Sequence, residues 1–173
     1  MVALNVISLI LLGILTYQDF KNREVSVILM LMLFVLFCIG AFKAGDSLRS
    51  ITVPFFVNAT FIAVQLLGVA TYFSIKHKKI MPLFDTYIGL GDVVFFCVCC
   101  MAFSTANFIL FYLASLLIAL ASTLIYKKLK QIETIDIPLV GYMSIALLCC
   151  IVYKMINRSF GFYDDSFFLN MLN

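Results

Sequence analysis

Charge is scarce in this chain. Of its 173 residues only 12% are charged while 64% are hydrophobic, against roughly a quarter and a half in soluble domains. A soluble protein of this length has too little interior to hide so much apolar surface. The soluble classes are therefore excluded, and the chain reads as an integral membrane protein. The net charge of +3 is too small to mark a nucleic-acid partner. Histidine occurs once, at His77, inside a lysine cluster that suits anionic lipid headgroups. The six cysteines all lie in apolar runs, so no polar loop carries a zinc site or a disulfide framework. Cys97 and Cys100 have C-x-x-C spacing but read as small apolar helix residues. The first apolar stretch has no basic residue before it and ends in Thr16-Tyr17-Gln18-Asp19 rather than at a small-residue cleavage site, so it is expected to be a retained helix. No internal repeat, linker or low-complexity segment divides the sequence, which points to one domain over residues 1–173.

What is present is a series of long apolar runs. The hydropathy pattern predicts an all-α polytopic membrane protein with about six transmembrane helices, over residues 2–18, 25–42, 51–75, 87–103, 108–126 and 137–156. Pro54 and Pro138 fall in the expected first turns of their spans, where a missing N–H does little harm. A tight turn is expected at Ser104-Thr105-Ala106-Asn107, and the tail segments Phe160-Gly161-Phe162-Tyr163 and Phe167-Phe168-Leu169 are candidates for the membrane interface. The connections after the first, third and fifth spans hold Lys21, Arg23, Lys76, Lys78, Lys79, Lys127, Lys128 and Lys130, whereas the opposite side holds Lys43, Arg49, Lys154 and Arg158. The positive-inside rule then puts the odd-numbered connections in the cytoplasm and both termini outside.

Asp92 heads an apolar run directly after Gly89-Leu90-Gly91. An acid there is costly unless it is paired or functional. The topology puts Asp19, at the end of the first span, near the same membrane face. Two carboxylates held close share a proton and titrate as a unit. One can then act as base on a water while the other donates to a carbonyl oxygen. Gly89 and Gly91 would let the backbone approach a neighbouring helix or an extended substrate. Each acid also has a plainer reading. Asp19 is a helix-end acid facing water beside Lys21 and Arg23, and Asp92 is an N-terminal acid favoured by the helix dipole.

Gly89-Leu90-Gly91-Asp92 resembles the signature of the prepilin peptidases, bacterial and archaeal membrane aspartyl proteases of the G-x-G-D type, which carries their second catalytic aspartate. Asp19-Phe20-Lys21-Asn22-Arg23-Glu24-Val25-Ser26 resembles the family's first catalytic block, and Ile137-Pro138-Leu139-Val140-Gly141 its last helix start. The resemblance implies an endopeptidase at the cytoplasmic face of the cell membrane that removes the basic leader from type IV prepilins or pseudopilins. Asp19 and Asp92 would be its catalytic dyad and Gly89 and Gly91 would shape the active site, with no metal, no cofactor and no covalent intermediate. The expected partners are a prepilin substrate and membrane lipid. The sequence departs from the family at Val94, where many members have lysine, and at Val25-Ser26-Val27, where Ile-Pro-Asn is usual. It has no zinc-binding cysteine region of the kind linked to N-methylation, which suggests a short, peptidase-only form. A rival reading is a non-enzymatic transporter or assembly subunit with Asp92 as an ion or proton site.

Overall fold

The structure is a computed structural model, and it describes residues 2–44, 47–78, 89–130, 137–157, 161–163 and 165. The described residues form six helices and no strand: α1 (Val2–Asn22), α2 (Val27–Ala44), α3 (Leu48–His77), α4 (Leu90–Ala102), α5 (Thr105–Lys130) and α6 (Leu139–Ile156). All except α4 are long and apolar enough to cross a membrane. Their outward faces carry Leu31, Val64, Leu67 and Leu117, each more than half exposed. In water such a surface would aggregate, and in a bilayer it meets acyl chains.

Several helices outrun their apolar cores. α1 continues through Asp19 to Asn22, where hydropathy suggests a turn from Asp19 onward. It stops at Arg23, whose φ of 58° lies in the left-handed region and whose N–H returns to the Asp19 carbonyl at 3.2 Å. The Gln18 side-chain oxygen then accepts from the Ser26 N–H at 3.2 Å, closing the corner into α2. At the start of α3, the Ser47 hydroxyl accepts from the Ser50 N–H at 3.3 Å and sets the first residue at Leu48. Pro54 is therefore the seventh helical residue rather than a first-turn residue, so it removes an internal bond that a first-turn proline would not. The α4–α5 connection is shorter than the expected four-residue turn, since α5 begins at Thr105.

α4 is the central helix. Its thirteen residues span ~20 Å at 1.5 Å per residue, well short of a hydrocarbon core of ~30 Å. Tyr87 and Ile88 of the expected span lie outside the described residues. α4 packs against α2, α3, α5 and α6 and buries Phe95, Phe96 and Val98 through Ala102. A helix end at this depth must find hydrogen-bond partners within the protein. The Ser104 N–H would ordinarily serve the Cys100 carbonyl, but it donates to the Phe162 carbonyl at 2.8 Å. Asn58 of α3, fully buried, replaces it: its Nδ2 donates to the carbonyls of Cys100 and Phe103, both at 3.2 Å.

Phe162 belongs to a tail segment that returns to the bundle. Its ring is 3% exposed, with its centroid 4.8 Å from that of Phe103 and 4.2 Å from the Lys154 ammonium. Asn107 Nδ2 donates to the carbonyls of Gly161 and Phe162, the Ser104 hydroxyl donates to Asp165 at 2.6 Å, and the Tyr163 hydroxyl donates to the carbonyls of Phe37 and Met101. Phe162 is thus core rather than interface. Phe160 and residues 167–169 lie outside the described residues.

Candidate functional site

At the opposite end of the bundle, α1 finishes where α4 and α6 begin. The two candidate aspartates are held there in related ways. Gly89 caps α4, which places Asp92 at the third helical position. Its carboxylate turns back to accept from the Gly89 N–H at 3.2 Å. This is half of a capping box, because glycine has no side chain to return the bond. Asp92 is only partly buried. In this respect the plainer reading of Asp92, as an acid satisfying its own helix start, describes a contact that is present.

Asp19 is different. It lies in the last turn of its own helix, where an acid opposes the helix dipole, and it is only 6% exposed. It does not face water beside Lys21, whose ammonium donates to the Tyr17 hydroxyl at 2.8 Å instead. The Asp19 carboxylate points inward and accepts from the Gly141 N–H at 2.6 Å. Pro138 caps α6, so Gly141 also stands at the third helical position, and its N–H is among those that a helix start leaves without an intrahelical partner. Asp19 therefore satisfies the start of α6 from another helix, as Asp92 satisfies the start of α4 from within. Both carboxylates sit where backbone N–H groups and the helix dipole suit negative charge.

The three sequence blocks meet at this end. A Cβ at Gly91 would lie 3.8 Å from Val25 and 3.9 Å from Met30, so the start of α4 rests on the α1–α2 corner. Asp19 is a like-charged neighbour of Asp92, whereas Arg23 is an oppositely charged neighbour of Asp19. Neither Gly89 nor Gly91 has a positive φ, and a methyl group at Gly91 would make ordinary contacts. A Cβ at Gly89 would lie 3.3 Å from the Asp92 carboxylate, a tighter fit.

The glycine that permits a close approach is Gly141. A Cβ there would fall 2.8 and 3.0 Å from the Phe20 ring and 3.1 Å from Asp19 Oδ2. Sequence reasoning placed Gly141 at a helix start but gave it no role. A glycine three residues after Pro138 in an apolar span is the available signal, since small residues mark close helix packing. Among the described residues no group of three His, Cys, Asp or Glu side chains is placed to hold a metal ion. No protein-family description, curated protein or solved structure matches the chain.

Proposed function

We propose that this protein is a membrane aspartyl endopeptidase of the prepilin peptidase type, which removes the basic leader from type IV prepilins or pseudopilins at the cytoplasmic face. The observation that supports it most is the inward Asp19. A helix-end acid is buried against another helix start, at the end of the bundle where Asp92 begins its own helix. Burial of a carboxylate is expensive, and that expense has a reason if the group works on Asp92 and a substrate.

In this reading the ionised member of the pair takes a proton from a water molecule, and the water oxygen attacks the scissile carbonyl carbon. The protonated member gives its proton to the carbonyl oxygen. The tetrahedral intermediate then collapses, the C–N bond breaks, and a carboxyl proton passes to the leaving amine. Lys21 and Arg23 at the end of α1 and Lys76 and Lys78 at the end of α3 would favour the cytoplasm for these helix ends under the positive-inside rule.

The test is expression with a prepilin that retains its leader, with leader loss read as a gel shift. Asp19→Asn and Asp92→Asn should each abolish cleavage while the protein still inserts. Normal cleavage by either variant refutes the two-aspartate mechanism. A transporter using Asp92 alone would keep its function in Asp19→Asn.

A further inference from the structure

We propose that Gly141 is a positioning residue for the Asp19 carboxylate, through its backbone N–H and through its lack of a side chain; the catalytic part of this role rests on the peptidase reading. Two independent features of the geometry converge on it. The first is the 2.6 Å bond from the Gly141 N–H to Asp19 Oδ2. The donor is fixed by the backbone of α6, in the most extensive helix pairing of the bundle. It therefore holds one carboxylate oxygen at a set point without ordering a flexible partner. The remaining oxygen is oriented as a consequence, because the carboxylate is planar.

The second feature is the space itself. The Phe20 ring edge occupies the volume that a side chain at position 141 would fill. That ring also packs edge-on against Tyr142, with centroids 5.1 Å apart and planes at 80°. Phe20 is adjacent to Asp19 in sequence, so the ring and the carboxylate straddle the same glycine. An added methyl group must displace the ring, the carboxylate or both. Phe20 is 42% exposed and can swing outward. Asp19 is buried, and with Oδ2 only 3.1 Å from the new carbon it must also shift by some tenths of an ångström. Displacing a reacting group by up to ~1 Å can cost a factor of ~10² in rate, so small movements matter here if Asp19 reacts.

The first measurement needs no substrate. The amide proton of Gly141, followed by NMR in detergent micelles, should move upfield in Asp19→Asn, where a charged acceptor becomes a neutral one. It should stay in place in Asp92→Asn. An amide indifferent to Asp19→Asn overturns the proposal, whatever the protein cleaves. The second measurement is kinetic. Gly141→Ala should lower kcat on a prepilin by about tenfold to a hundredfold, with KM changed less than about twofold, because the substitution acts through the Asp19 carboxylate. The double variant Phe20→Ala/Gly141→Ala relieves the ring collision and should recover folding yield ahead of kcat, since the contact with Asp19 persists. If Gly141→Ala folds and retains wild-type kcat, the positioning role is wrong. If the wild type cleaves no prepilin, the proposed activity fails and the catalytic part of this role fails with it, while the amide result still decides whether Gly141 holds Asp19.

Discussion

Replacing Asn58 by leucine tests how the central helix ends. Asn58 Nδ2 makes two hydrogen bonds of 3.2 Å, to the carbonyls of Cys100 and Phe103, and the side chain is fully buried. Leucine keeps the volume and loses both donors. A buried acceptor left unsatisfied costs ~1–3 kcal/mol, so two would cost ~2–6 kcal/mol if nothing relaxed. Two effects reduce this. Asn58 Oδ1 is itself buried without a hydrogen-bond partner, and leucine removes that penalty, which is of similar size to one of the losses. Interhelical bonds in membranes also tend to be weaker than expected, averaging ~0.6 kcal/mol, because the unfolded chain finds other partners in lipid. The net expectation is a destabilisation of about 1–3 kcal/mol, measurable by denaturant unfolding in mixed micelles with a folded-state fluorescence or circular dichroism readout. Asn58→Asp should be worse, because it replaces the donor with a group that can only accept when ionised. Asp92 lies eight residues before Cys100, ~12 Å along the helix, so any activity per folded molecule should survive in Asn58→Leu. A leucine variant within ~0.5 kcal/mol of wild type would refute the account of how α4 terminates.

Three other outcomes follow from the same contacts. Gly91→Ala should insert and fold like the wild type, because the added carbon lies 3.8 Å or more from Val25 and Met30; the same unfolding assay would expose a hidden clash as a loss above ~1 kcal/mol. Phe162→Ala should destabilise by ~3–5 kcal/mol, the usual range for a buried phenylalanine, and a loss below ~1 kcal/mol would mean that the tail contributes little. Tyr163→Phe removes the hydroxyl that donates to Phe37 and Met101, with an expected loss of ~0.5–1.5 kcal/mol in thermal unfolding and no change in oligomeric state.

The helices are legible in the sequence because each apolar run is long and uninterrupted. Their ends are less so. Asp19 to Asn22, Lys76 and His77, and Lys127 to Lys130 are polar yet helical, and hydropathy ends a span wherever side chains turn polar, even when long ones can reach the surface. That the end of α1 with Asp19 and the start of α4 lie at one end of the bundle follows from counting spans, since alternation fixes which helix ends share a face. The burial of Asp19 does not follow, because Lys21 and Arg23 beside it suggest a wet surface. Gly141 has no sequence signature as a donor, since every residue but proline carries the same N–H. Its importance comes from where Phe20 and Asp19 sit, which is a property of α1. Phe162 is similar: an aromatic in a mixed tail can lie in the interface or in the core, and what decides is the α4–α5 connection some sixty residues earlier in the chain.

The returning tail has a consequence for how the protein is made. Gly161, Phe162 and Tyr163 supply carbonyls, a ring and a hydroxyl to the end of α4 and the start of α5. These residues follow all six helices in the chain, so they emerge from the ribosome after them. Until they arrive, the Ser104 N–H lacks the Phe162 carbonyl and the cap on the central helix is incomplete. Final consolidation of this bundle should therefore wait for the tail, and a released chain truncated after Asn157 should be more sensitive to added protease at the α4–α5 connection than the whole protein.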